Sequence, residues 1–352
     1  MSLEHGLAAM NLEMSDRVPR TEYSAHFHWE LVNKVCGTNL SAKSTPQEQL
    51  IGSAKFLKAW NYDFFWNIMV GASYLDKCRT RMGHASYQSD NVDYDSRVEC
   101  PFSDAEDALL FNPFDVYDKL NPTKLTEEYN INYDEQVSLN SDMVNMTGVY
   151  ITCISGLLEI FGWDILLEAA GISAEGFGEV TNKYCEFIQP YFDALANSKA
   201  KHVMIHDDIV WSSGAFISPQ WYRKYVFPNY KKLFSPLREA DKKIIFTSDG
   251  NFSQFIDDIA DCGVDGFVLE PLTDMTYIAE KYGKTKVFIG NADTNILLRG
   301  TKEEIFNEVK RCMDIGKSCP GYIMAVGNHI PSNTPIENAL YYNECYEKLS
   351  KR

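Results

Sequence analysis

Five short apolar runs in the second half of the chain each stop abruptly at acids, amides or histidine. They read VMIHDD (203–208), IIFTSDGN (244–251), GFVLEP (266–271), VFIGNAD (287–293) and YIMAVGNH (322–329). An apolar run of this length, bounded by turn residues, is the pattern of a strand buried on both faces, as in a parallel sheet. Helix-like stretches follow the runs, so polar groups recur at the carboxyl ends of strands. In a parallel barrel that end gathers the loops and the chemistry. Three earlier runs complete a set of eight: VPRTEYS (18–24), YDFFWNI (62–68) and MTGVYITCI (146–154).

Helices are predicted near 45–60, 155–170, 218–240, 252–262, 274–282, 301–316 and 335–350. Thr45 with Glu48, Ser103 with Glu106, Thr301 with Glu304 and Thr334 with Glu337 have the spacing of a capping box. Pro46 and Pro335 stand at first helical positions, where a missing N–H costs nothing, and Ser218-Pro219 opens a helix by the same logic. Eight βα units predict an α/β fold, a (β/α)8 TIM barrel. The rival doubly wound sheet usually carries a glycine-rich phosphate loop, and neither GxGxxG nor GxxxxGK[ST] occurs. Residues 69–143 exceed one βα connection and read as an insertion after the second strand, so residues 1–352 form a single domain. Within it, 83–103 reads as irregular or hairpin structure that could lie over the barrel mouth as a lid. Residues 109–130 read as Asn-Pro breaks with a short helix between.

Composition narrows the function classes. The 352 residues are 45% hydrophobic, enough for a full core, and the net charge is −16, from 33 basic and 49 acidic residues. Such a surface repels phosphate backbones and anionic membranes, so neither nucleic acid nor membrane is an expected partner. Nine cysteines, an odd number with no CxxC pair, fit reduced thiols in a cytoplasmic protein, with Cys153, Cys262 and Cys312 as core filler. No apolar run approaches the roughly 18 residues of a membrane span, and the first residues lack the pattern of a signal peptide.

The strand ends supply the candidate chemistry. Asp207 and Asp208 are adjacent on an extended segment and point to opposite faces, so one can serve a substrate while the other caps a helix. Asp249 is a functional acid or a turn former, and Gly250 beside it allows a close backbone approach. Pro271 holds Glu270 extended. Asn291, Asp293 and Asn328 follow at the next two ends, and His329 can act as acid or base near neutral pH. His26 and His28 form an HxH pair that could chelate zinc from an extended segment, although the fifth and sixth strand ends lack the further histidines such sites use. Aromatic residues are dense nearby, among them Tyr23, Trp29, Trp66, Trp211 and Trp221. Any that line the mouth favour an apolar or aromatic ligand.

From DRVPRTEY (16–23) to PIENALYYNECY (335–346) the chain resembles the uroporphyrinogen decarboxylase superfamily. The segments that carry the resemblance are FISPQWYRKYVFPNYKKL, FTSDGN, GNADTNILLRGTKEEI and GYIMAVGNHIPSNTPIENA. The resemblance implies a (β/α)8 barrel. The decarboxylases grip substrate carboxylates with an arginine-rich stretch after the first strand, where this chain reads EYSAHFHW. A porphyrinogen would therefore meet a mouth without the bidentate forks that suit it. Asp63 falls near the family's catalytic aspartate.

The closer likeness is to the cobamide-dependent methyltransferase branch. Its thiol-methylating members bind zinc through HxC and a later cysteine. The corresponding positions here are Thr247, Asp249 and Asn328, so a thiol-activating zinc is not expected and any other metal stays open. The DD and SDGN pattern resembles relatives that demethylate aryl ethers or other donors. By that likeness the chain is a corrinoid-dependent methyltransferase. It would move a methyl group from an aryl ether or methylamine-like donor to cobalamin on a partner protein. Asp207 or Asp208, Asp249, Glu270 and His329 would be catalytic. Tyr23, His28, Asp63, Asn251, Asn291, Asp293 and Asn328 would line the substrate. Decarboxylase or lyase chemistry on a smaller acid, using Asp63 and His329, is the alternative, and a non-catalytic binding barrel is the second. A homodimer is compatible with all three.

Overall fold

The computed structural model describes residues 2–80 and 99–352, together with the backbone of 86–87 and 92–93. Seven strands form the main sheet: β1 Phe64–Phe65, β2 Val144–Val149, β3 His202–His206, β4 Lys243–Thr247, β5 Gly266–Val268, β6 Val287–Ile289 and β7 Tyr322–Ile323. Their order in the sheet is their order in the chain. Successive strands are joined through helices, and the registers are parallel. A doubly wound sheet reverses its strand order at a switch point, and this one does not. The fold is α/β and TIM-barrel-like.

The first predicted strand, VPRTEYS, is not a regular strand. It makes one parallel bridge, between Arg20 and Met324. The Thr21 N–H donates to the Met324 carbonyl at 3.0 Å, and the Met324 N–H donates to the Pro19 carbonyl at 2.8 Å. On its other edge the Asp63 N–H donates to the Arg20 carbonyl at 2.9 Å. Pro19 has no N–H to give, which shortens any ladder built on this segment.

The chain divides into two compact units. The first comprises Met1–Trp66, Asp134–Asn145 and Gly266–Arg352, and holds β1 and β5 to β7. Its core contains a fully buried Arg20, whose guanidinium lies over the rings of Trp60 and Tyr346 at 4.6 and 4.7 Å and pairs with buried Glu22 at 3.2 Å. Glu22 also accepts from the Val326 N–H and the Tyr342 hydroxyl, so its buried carboxylate is well supplied with donors inside the unit. The capping boxes at Thr45 and Thr301 both form. The one predicted at Thr334 does not: the helix Ile336–Leu349 starts past it, with Pro335 at the cap.

The second unit comprises Asn67–Tyr133 and Met146–Asp265. Here β3 is buried throughout and β4 nearly so. That matches their continuous apolar sequence and the helices Cys153–Ile172, Ala174–Asn197 and Phe227–Glu239 of the same unit. The Ser103 box is displaced by one residue, because Asp104 takes the cap position and accepts from the Asp107 N–H. The expected short helix, Pro113–Val116, lies between the two Asn-Pro pairs, and each pair marks a helix start. Asn112 caps Pro113–Val116, and Asn121 accepts from the N–H groups of Thr123 and Lys124 at the start of Pro122–Leu139. Asparagine followed by proline combines a cap acceptor with a residue that needs no partner. The stretch expected to form a lid lies mostly outside the described residues. Among the described residues no helix is long and apolar enough to cross a membrane.

Candidate active site at the ends of two strands

His206 ends β3 and pairs in register with Thr247, the last residue of β4. Parallel register then carries Asp208 and Asp249, each two residues further on, to neighbouring positions. The Asp249 N–H donates to Asp208 Oδ1 at 2.9 Å. Strand alternation places His206 and Asp208 on one side, where His206 Nε2 lies 3.0 Å from Asp208 Oδ1. One ligand atom from each of His206, Asp208 and Asp249 lies within 4.8 Å of the others.

Asp207 points the other way. It is fully buried and accepts from the Tyr230 hydroxyl at 2.5 Å and the Ser155 N–H at 2.6 Å. Burial pushes its pKa up to about 7, against the pull of Tyr230, the backbone N–H groups of Ser155 and Ile154, and His206. Asp207 thus caps the start of the helix Cys153–Ile172, which precedes it in the chain, and fixes the end of β3. Of the two adjacent acids, Asp208 is the one on the open side.

His206 is held by its surroundings. Its Nδ1 lies 3.2 Å from the Tyr150 carbonyl and 3.4 Å from Ser155 Oγ, and its ring stacks on Tyr150 at 3.6 Å. Ser155 Oγ also accepts from the Asp208 N–H at 2.7 Å. Burial alone would lower the His206 pKa. The Asp208 carboxylate, then Asp249 and the Tyr150 carbonyl, outweigh it and hold the pKa up at about 9. Glu159, one turn along the same helix, has its pKa raised by burial, while Arg79 at 3.6 Å and His206 pull it down.

An aromatic hairpin follows the cluster. Val210–Trp211 pairs with Gly214–Ala215, and the Asn251 N–H donates to the Trp211 carbonyl at 3.0 Å. Gly250 has φ +82, and a Cβ there would lie 2.8 Å from the Trp211 backbone, so only glycine lets the two loops meet. Trp163, Trp211 and Phe216 pack with ring centroids 5.2 to 5.5 Å apart, leaving Trp211 exposed. The Asn251 side chain accepts from Ser253 and shapes the turn.

The remaining predicted residues lie in the first unit. Glu270 Oε1 accepts from Asn328 Nδ2 at 2.6 Å, and the exposed His329 lies 3.0 Å from Ser24 Oγ. Tyr23 packs edge-on to Trp66. Asn291 is buried, donating to the Glu270 carbonyl and accepting from Arg311. Asp293 caps the helix Thr294–Arg299 through the Asn295 N–H.

Two of these residues are occupied by structural duties. Asp63 is fully buried and receives both prongs of Arg17 at 2.6 and 2.7 Å plus the Arg20 N–H. Burial raises its pKa and Arg17 lowers it. His28 caps the helix Trp29–Cys36, accepting from the Leu31 N–H while Nε2 meets the Thr334 carbonyl. His26 lies within a 3-10 turn, Ala25–Phe27, and His28 caps its end, so the segment is not extended and the same-face argument for an HxH chelate fails.

Sequence reasoning left His206, Tyr150, Ser155 and Glu159 out of the site. His206 was recoverable, because i and i+2 on a strand share a face. The others come from helix and loop contacts that no spacing encodes.

The uroporphyrinogen decarboxylase (URO-D) family model matches residues 168–349, just over half the chain. The chain belongs to that family. This URO-D member is 26% identical to the uroporphyrinogen decarboxylase of Geobacter metallireducens over 190 residues, 54% of each chain. It is 31% identical to that of Thermus thermophilus over 168 residues, covering 48% of this chain and 47% of the relative. It thus spans about half the length of the curated relatives it matches. Among solved structures, a methyltransferase from Methanosarcina mazei covers 99% of this chain and 98% of its own with a TM-score of 0.64. At 19% identity, that likeness speaks for the fold.

Proposed function

We propose that this URO-D family member transfers a methyl group from a small organic donor, an aryl ether or methylamine-like compound, to a corrinoid carried by a partner protein. The observation that carries it is the acid and imidazole cluster of His206, Asp208 and Asp249, set beside an exposed aromatic surface at Trp211. A polycarboxylate would need arginine forks. Arg17 and Arg20, nearest the first predicted strand, are committed to Asp63 and Glu22. The Methanosarcina mazei structure, named a methyltransferase, supports the same direction.

In the proposed reaction the bond between the methyl carbon and its oxygen or nitrogen breaks, and the electron pair stays on the heteroatom, which takes up one proton. A reduced corrinoid presented by the partner protein would supply the electron pair for the new bond to carbon. Asp208 and Asp249 would orient the donor's heteroatom, and the Trp163–Trp211–Phe216 wall would hold an aryl or alkyl group. Asp207, through Ser155 and Tyr230, would fix the strand end that presents Asp208. Glu270 and Asn328, hydrogen-bonded to each other, and His329 would be further polar residues at later strand ends. The test is incubation with a reduced corrinoid protein and a panel of ethers and methylamines. Demethylated product is expected from at least one donor class, and none across the panel would sink the proposal.

Decarboxylation of a smaller acid is the second reading, favoured by the names of the curated relatives. Release of carbon dioxide from a carboxylate panel, with no methyl transfer, would establish it instead.

A further inference from the structure

His206, Asp208 and Asp249 carry the donor set of a divalent-metal site, and we propose that they bind one first-row divalent cation through His206 Nε2 and one carboxylate oxygen from each acid. The ligand atoms lie within 4.8 Å of one another. Ligands at 2.0–2.1 Å around a tetrahedral ion stand about 3.3–3.5 Å apart. Rotation of the exposed Asp249 side chain can supply that closure.

The imidazole is the independent observation. His206 is buried, and its Nε2 lies 3.0 Å from Asp208 Oδ1, on the side where the two carboxyl groups gather. Its other nitrogen is turned to the Tyr150 carbonyl and Ser155 Oγ. A ligating histidine is held in the same way: one nitrogen is turned to an outer partner, which fixes the ring, and the other faces the acids, where a cation would take the place of its proton. Ser155 serves both ligands on β3 and its extension, since it also receives the Asp208 N–H. Two carboxylates against one imidazole leave surplus negative charge at the end of β3.

The donor set selects the ion. No cysteine belongs to the cluster among the described residues. One nitrogen and two oxygens suit zinc or manganese and give no preference to soft, thiolate-seeking ions. Three protein ligands leave coordination positions open, as catalytic sites require. An oxygen or nitrogen of the substrate in such a position would be polarised, easing departure of its methyl group. This role deepens the methyl-transfer proposal and rests on it, whereas binding of the ion does not.

The test uses the full chain, freed of metal by chelator and dialysis. Titration with Mn2+, followed by electron paramagnetic resonance and calorimetry, reads binding without any donor or corrinoid. Manganese has little affinity for thiolates, so the nine cysteines do not confuse the count. One equivalent per chain is expected, weakened at least about tenfold in Asp249→Asn and in His206→Gln, and measurably in Ser155→Ala. If His206→Gln fails to fold, Asp249→Asn, altered at an exposed side chain, decides alone. Absence of binding to the unaltered chain, or binding unchanged in Asp249→Asn and His206→Gln, overturns the proposal. Stoichiometric binding without methyl transfer from any donor upholds the metal site and counts only against the reaction.

Discussion

Asp249 donates its backbone N–H to the Asp208 carboxylate at 2.9 Å, joining the ends of β4 and β3 just beyond their apolar residues. Both carboxyl groups are thereby held beside His206 by strand register. Asparagine at either position keeps the size and removes the charge. Turnover is expected to fall by about 10²-fold or more in Asp208→Asn and in Asp249→Asn, the range lost with a positioned acid or base. Melting temperature should move by only a few degrees. Unchanged kcat in both variants would remove the cluster from the reaction.

Asp207 works from the opposite face, and its loss should read differently. Tyr230→Phe strips one donor from a buried carboxylate, costing about 1–3 kcal/mol. Urea unfolding measures that cost, while the KM for donor should barely change. A large KM change at full stability would instead put Asp207 in contact with substrate.

The pH dependence of stability has its own source. Burial holds His26 and His202 at about 4, and for His202 the Lys243 ammonium adds to the lowering while Asp265 opposes it. Both are neutral in the folded chain below the pH at which the unfolded chain protonates them, near 6.5. Stability from each is therefore full above pH 6.5 and lost as pH falls toward 4. Comparing urea unfolding at pH 7.5 and pH 5, His202→Asn should lose about 2 kcal/mol less than the unaltered chain. Equal losses would show that His202 does not titrate as described.

Arg17 and Asp63 test the division between structure and chemistry. Arg17→Ala leaves a buried carboxylate without its fork, which typically costs about 3–5 kcal/mol. The expected signature is a lower melting temperature with kcat and KM intact in the surviving folded fraction. A selective loss of kcat would return Asp63 to the active site.

The parallel sheet was legible because strands covered on both faces must be apolar throughout, and β3 and β4 announce themselves that way. The capping boxes at Thr45 and Thr301 were equally plain, since their chemistry is local. VPRTEYS failed as a regular strand because Pro19 limits its ladder, and a bridge carries no periodic signal. Asp63 looked catalytic by its place in the chain, yet its partner Arg17 is 46 residues away in sequence. The extended geometry supposed for the His26 and His28 pair is not found, because a 3-10 turn breaks the alternation that an HxH chelate needs. Asp208 and Asp249 could be named from the strand ends, but their contact depends on register, which the sequence does not print.

The most direct measurement is a single turnover with stoichiometric enzyme and corrinoid protein, following the corrinoid spectrum from the reduced to the methylated form as demethylated donor is counted. The account predicts one methylated corrinoid per demethylated donor, with Asp249→Asn slowed by about 10²-fold. Carbon dioxide released from a carboxylated substrate, with no methylated corrinoid from any ether or methylamine, would contradict it.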